Sequence, residues 1–235
     1  MMCPQNGLLV VVFSLTALAP AASCRASTDV EQAKMLEAHL KVREKVYPPA
    51  SDMLLMEYSN ELEVLAAHWA SRCRFEHPDW RFEHPDWRHH WHYKGLGQNI
   101  AAVGGTKPSI TEALCGWRSE VKYYSYFNNS CSRVCGHYTQ MVSARSNQLG
   151  CVMWWCDYMR PEWNNPQYFI VCQYKSAGNH HGEHPYTYGA SCSKCPKALE
   201  GGRKPSSCIH KANLVVKNLA PVCLPHPHQY SCILI

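Results

Sequence analysis

Apolar positions along this chain recur first at helical and then at strand spacing. From Ser27 to Val46, Met35, Leu36, Leu40 and Val42 fall near a helical period, with Asp29 placed to cap. The prolines of Tyr47-Pro-Pro-Ala-Ser51 end that helix, because proline removes a donor and clashes with the preceding turn. A second helix is predicted over 60–73, with Leu62, Leu65, Ala66, Trp69 and Ala70 on one face and Asn60 capping a first turn that carries Glu61 and Glu63. Residues 93–103 are glycine-flanked and read as a turn. Pro108 suits the first turn of a third helix through Tyr124, with Ile110, Leu114, Trp117 and Val121 on one face and Glu120 beside it. The period then shortens to two. Tyr138-Thr-Gln-Met-Val142 alternates, predicting a strand that starts at His137. Leu149–Cys156 and Gln167–Tyr174 are short apolar runs around a Pro- and Asn-containing loop, predicting two core strands of an antiparallel hairpin. The sum is an α+β fold, with helices packed on the faces of a central antiparallel sheet.

From Gly178 the pattern stops: Gly, Pro, His and Cys dominate residues 179–235, a small disulfide-held tail rather than a second core. The 235 residues are 46% hydrophobic and 17% charged, as in a globular chain. The net charge of +5 is scattered without runs and gives no footprint for nucleic acid. The apolar run Leu8–Ala19 is shorter than the roughly 20 residues a membrane span needs, and Pro20, Ala21, Ala22 and Ser23 follow it. Residues 1–23 therefore read as a secretory signal peptide, although the segment before the run has no Lys or Arg. No other stretch is apolar enough for a transmembrane segment, so the chain is expected to be extracellular.

Secretion changes the meaning of the 14 cysteines, which become a disulfide framework. Cleavage after Ser23 removes Cys3 and leaves 13 of the 14, whereas cleavage just beyond Cys24 leaves 12. Cys192-Ser-Lys-Cys195 has zinc-site spacing, but in a secreted chain it reads as disulfide, together with Cys208, Cys223 and Cys232. The final Cys232-Ile-Leu-Ile235 mimics a prenylation signal, a cytosolic modification, and is a chance match behind a signal peptide. Asn128-Asn129-Ser130 is a glycosylation sequon on Asn128.

Two stretches carry candidate chemistry. In Cys131-Ser-Arg-Val-Cys135-Gly-His137 a short staple precedes a histidine and fixes its direction, which suits a ligand or an acid/base group as well as a half-buried structural histidine. Arg74-Phe-Glu-His-Pro-Asp-Trp80 is repeated at once as Arg81–Trp87, giving His77 and His84, and His89, His90 and His92 follow. The segment reads equally as a metal-capturing histidine tract and as a solvated loop that tolerates insertions.

These motifs resemble the CAP superfamily of cysteine-rich secretory, antigen 5 and pathogenesis-related 1 proteins, whose common unit is the SCP domain. Cys135-Gly-His-Tyr-Thr-Gln-Met-Val142 with Leu149-Gly-Cys151 is similar to one family signature, and Tyr168-Phe-Ile-Val-Cys-Gln-Tyr-Lys-Ser-Ala-Gly-Asn179 to the other. Leu65-Ala-Ala-His-Trp-Ala-Ser-Arg-Cys73 and Gly97-Gln-Asn-Ile-Ala101 add support. The Cys-x-x-x-Cys-Gly-His arrangement and Pro185–Pro196 look most like the glioma-pathogenesis-related and peptidase-inhibitor-like branch. The resemblance implies an α-β-α sandwich over residues 28–178. It also implies the pairs Cys73–Cys156, Cys151–Cys172 and Cys131–Cys135. A further family bridge would join the positions of Leu96 (or a neighbour) and Lys175, and both cysteines are missing here. Cys115 is left either as a buried thiol or as a partner for the tail.

The resemblance further implies a cleft of two histidines and two acids that in some members holds a divalent metal. By position these are His77 (or His84, since the repeat blurs the register), His137, Glu120 and, in place of the second acid, Gln98. Glutamine keeps an acceptor but loses the charge that supports a bound cation, and it cannot serve as a general base. Ser143 stands where the family usually has tryptophan. Three functions follow. One is a non-enzymatic binding module for a lipid, a sterol or an extracellular protein, with Trp117, Tyr123, Tyr124, Tyr126 and Phe127 as either binding surface or packing. A second is a peptidase or peptidase inhibitor working through the His/Glu cleft. The third is a zinc-dependent switch. Gln98 and the lack of a Ser or Cys nucleophile beside a base favour the first, with a weakened zinc or other divalent-metal site.

Overall fold

The computed structural model describes residues 27–78 and 95–195. The signal-peptide reading, His84, His89, His90, His92, Cys208, Cys223 and Cys232 lie outside those residues. Three apolar strands form the centre: β2 (Leu96–Gly104), β5 (Gln148–Cys156) and β6 (Gln167–Lys175). A two-residue β1 (Glu57–Tyr58) pairs parallel with β5, giving the order β1-β5-β6-β2, in which β5 and β6 are antiparallel and so are β6 and β2. A hairpin of β3 (Tyr124–Ser125) and β4 (Ser130–Cys131) stands apart.

Both faces of the sheet are covered, which is why the strands read as continuous apolar runs rather than as alternating ones. Ile170, Cys172 and Tyr174 of β6 point into one core, with Met35 of α1 (Asp29–Glu44), Leu114 and Trp117 of α3 (Ile110–Ser119) and Met141 of α4 (Gly136–Met141). Phe169 and Val171, one step out of phase, point into the other, with Ala66, Trp69 and Ala70 of α2 (Asn60–Ala70). The molecule is an α-β-α sandwich. Gly150 allows a close layer contact, because a Cβ there would overlap the backbone of Ser59, Leu62 and Glu63 at the start of α2.

Four expectations shift. The caps move back by one residue, to Thr28 for α1 and Ser59 for α2, because their side chains reach backbone N–H groups that Asp29 and Asn60, already inside the helices, cannot. The stretch read as a turn is strand β2: all nine of its residues register against β6, and its glycines admit close neighbours rather than bends. The third helix ends at Ser119 and tightens into a 3-10 turn, Glu120–Tyr123. The strand expected from His137 is instead α4, where five consecutive residues, His137–Met141, are all buried, so no two-residue period survives.

The structure pairs Cys73 with Cys156, Cys131 with Cys135, and Cys151 with Cys172. Cys151 and Cys172 are direct cross-strand partners, and so are Leu96 and Lys175, the positions where both family cysteines are missing. Cys115 and Cys195 are each disulfide-bonded, which removes the thiol reading of the first and the zinc reading of the second. The beginning of the tail is laid on the sandwich: Ser51 N–H donates to Thr187 O at 2.8 Å, Ala144 N–H to Pro185 O at 2.7 Å and Lys194 N–H to Ser51 O at 2.9 Å. Asn128 is exposed in the turn between β3 and β4.

Candidate functional site

The six-residue helix α4 is too short to persist alone. Other elements complete both of its ends. At the N-terminus, Glu120 Oε2 accepts the backbone N–H groups of His137 at 3.0 Å and Tyr138 at 3.1 Å. At the C-terminus, the buried guanidinium of Arg43 on α1 donates to Met141 O at 3.0 Å and Ser143 O at 2.7 Å. Its other nitrogen reaches Leu54 O and Ala144 O, at 2.8 and 3.3 Å. A carboxylate at the positive end and a cation at the negative end both suit the helix dipole. Burial pulls Arg43 down from 12.5 to about 9, against the smaller upward pull of Tyr174 and Asp52. The chain leaving β6 laces the side of α4: Gly178 N–H donates to Gln140 Oε1 at 2.8 Å and Thr139 Oγ1 to Asn179 Oδ1 at 2.6 Å.

His137 is thereby fixed. Its Nδ1 lies 2.7 Å from Glu120 Oε1, both side chains are buried, and its ring stacks on Trp117 at 5.8 Å between centroids and 7° between planes. The carboxylate sets the tautomer with the proton on Nδ1, so Nε2 presents a lone pair, and that buried nitrogen has no hydrogen-bond partner. Its carbonyl accepts from Asn99 Nδ2 at 3.0 Å. The same Nδ2 group reaches the Tyr174 hydroxyl at 3.1 Å, which lies 2.8 Å from His39 Nε2. This buried relay runs from α1 to the histidine peptide and was not among the predicted site residues. The signal for it was polar residues inside apolar faces: His39 on α1 and Asn99 on β2. Burial drives His39 down from 6.5 to about 4.

His77 is the looser partner. It is exposed beyond the end of α2, with Nδ1 2.8 Å from Gln98 Oε1 on β2. Desolvation by the surrounding protein lowers its pKa, the Gln98 hydrogen bond works against that, and the proximity of His137 lowers it further. Gln98 Nε2 is buried and unpartnered. Of the predicted residues, His77, Gln98, Glu120 and His137 thus come together. Their roles are unequal: Glu120 and Gln98 each engage a histidine Nδ1, and both Glu120 oxygens are occupied. Among the described residues no group of three or more His, Cys, Asp or Glu is arranged around a metal position. The ring nitrogen left open at the site is His137 Nε2, a buried lone-pair donor without a hydrogen-bond partner.

The aromatic residues at the end of α3 divide by role. Trp117 is core, Tyr124 packs tilted on the buried Tyr138 at 6.1 Å, and Tyr126 stacks on Tyr186 of the tail at 4.8 Å. Tyr123 lies between Lys122 and Arg133, at 5.0 and 5.4 Å, and Phe127 is exposed. A separate open cavity of about 370 Å³ lies where the tail meets the sandwich, beside Ser143, Gly178, His180 and Tyr186, and includes neither cleft histidine.

The profile of the cysteine-rich secretory protein (CAP) family matches residues 36–174. Human GLIPR1-like protein 1 is 38% identical over 162 residues, covering 69% of this chain and 65% of that protein. Peptidase inhibitor 15-A of Danio rerio is 35% identical over 192 residues, covering 76% of this chain and 70% of that protein. Glioma pathogenesis-related protein 1 of Mus musculus is 36% identical, and the match covers 58% of its length. Among solved structures, Na-ASP-1 superposes with a TM-score of 0.61 at 26% identity, covering 80% of this chain and 50% of that one. NaASP2 with Zn2+ gives a TM-score of 0.56 at 29% identity, covering 74% of this chain and 94% of that one.

Proposed function

The chain belongs to the cysteine-rich secretory protein (CAP) family, and from that membership we propose that it is a secreted, non-enzymatic binding module whose cleft holds a divalent metal weakly. The observation that carries this is the unpartnered His137 Nε2, aimed by Glu120 while its neighbour His77 is aimed only by neutral Gln98. His77 and His137 would hold the ion, which would supply a fixed positive charge in the cleft. NaASP2, a relative in fold, was solved with Zn2+, which supports zinc as the ion to try first.

Two features argue against hydrolysis. Glu120 already accepts three N–H groups, which ties its carboxylate to the His137 ring and the start of α4, and Gln98 has no basicity. The partner is a lipid, a sterol or an extracellular protein. Peptidase inhibition, which the name of the Danio rerio relative states for that protein, is one form of the last. No helix among the described residues is long and apolar enough to cross a membrane.

Zinc titration by calorimetry on the wild type, His137→Ala and Gln98→Glu tests the cleft. Weak binding that disappears in His137→Ala and tightens in Gln98→Glu is the expected result. Equal binding by wild type and His137→Ala overturns it. Cleavage of a peptide library by the wild type that is lost in Glu120→Gln would establish an enzyme instead.

A further inference from the structure

Ser27 is gripped twice at the start of the sandwich. Its backbone N–H donates to Glu63 Oε1 at 2.6 Å, and its hydroxyl donates to the carbonyl of Cys151 at 3.1 Å. Glu63 is 4% exposed, and its other oxygen accepts from Gln32 Nε2 and the Tyr58 hydroxyl, both at 2.8 Å. An amide, a phenol and a peptide N–H surround this carboxylate, and among the described residues no Lys, Arg or His pairs with it. A buried carboxylate without a cation is an uncompensated charge. The atom nearest to it is the nitrogen of Ser27.

The sequence points to the same nitrogen independently. Small side chains occupy the first and third positions before Ser27, Ala26 and Cys24, and seven residues separate Ser27 from the apolar run that ends at Ala19. That is the layout of a signal-peptidase site. Removing residues 1–26 takes Cys3 and Cys24 from the 14 cysteines and leaves 12, an even number for a disulfide framework.

We propose that the exported chain is cut between Ala26 and Ser27 and that the α-ammonium group so created is the counter-ion of Glu63. Water supplies the atoms, with a signal peptidase of the secretory pathway as catalyst. The C–N bond of the Ala26–Ser27 amide breaks, Ala26 leaves as a carboxylate, and the water protons end on the Ser27 nitrogen as ammonium. Nothing is oxidised or reduced. A cation at this end of α1 opposes the helix dipole, and Asp29 and Glu31 in the first turn offset that opposition together with Glu63.

The inference rests on the secreted reading, and expression of the full chain in an animal cell line separates the two. Medium and cell lysate are both probed, and the N-terminal peptide of the exported protein is identified by mass spectrometry after reduction. The expected terminus is Ser27-Thr-Asp-Val, with its amine labelled by an amine-reactive ester several-fold more slowly than in Glu63→Gln. Export with Cys24 or any other residue at the terminus overturns this inference alone, and that result needs no variant. Equal labelling of wild type and Glu63→Gln overturns the ion pair. Retention of the whole chain in the cytosol overturns secretion, and this inference with it.

Discussion

His137 and His77 hold the same cleft from opposite mechanical situations. His137 is 3% exposed, stacked on Trp117, bonded to a buried carboxylate, and carried by a helix that other elements complete at both ends. His77 is exposed, bonded to a neutral amide, and the tandem repeat begins three residues before it, at Arg74. One half of the site is part of the core and the other is an attachment to its rim. A change on the first side should therefore appear as lost stability, and a change on the second as altered ligand affinity with the fold intact.

Glu120→Ala is the strongest way to break that contrast. It strips acceptors from the His137 ring and from two backbone N–H groups in a buried setting, for an expected loss of about 3–5 kcal/mol in denaturant unfolding. Protonation of His39 comes next. Its folded pKa of about 4 lies below the unfolded 6.5, so its contribution is fully present above pH 6.5 and is lost as pH falls toward 4. The loss amounts to about 3 kcal/mol, and His39→Gln should flatten the measured stability–pH curve across that window. On the other side of the cleft, Gln98→Glu should tighten zinc binding roughly 10- to 100-fold while leaving the unfolding midpoint nearly unchanged. The smallest effect is expected for His77→Ala, within about 0.5 kcal/mol of wild type in stability. A larger loss there would show that the rim is as much a part of the core as α4.

Legibility in the sequence followed the range of the forces involved. α1, α2, α3 and the β5–β6 pair were readable because their apolar spacing is local and their faces are buried on one pattern. β2 was not, because Gly95, Gly97 and Gly104 carry turn propensity, although only Gly95 lies in a turn, while Gly97 and Gly104 pair with β6 and make room for Gln140 and Trp163. α4 was misread because a six-residue window fits either period, and its helical state comes from Glu120 and Arg43, 17 and 98 residues away from the groups they bind. The members of the site were legible through the family motifs. The division of labour among them was not, since no spacing reveals that both Glu120 oxygens are already occupied. The relay through His39, Tyr174 and Asn99 joins three distant elements and left only isolated polar residues as a trace.

The short helix α4 also sets an order of events. A six-residue segment gains its helical shape only after a carboxylate from the end of α3 and a guanidinium from α1 have reached it. Both are long-range closures, which fold late. His137 therefore points nowhere in particular until the sandwich around it is assembled. A newly made chain passes through its early life without a defined direction for this ring. Competence of the cleft is in effect a timer that reads completion of the fold, and it should vanish in the same cooperative step in which the domain opens.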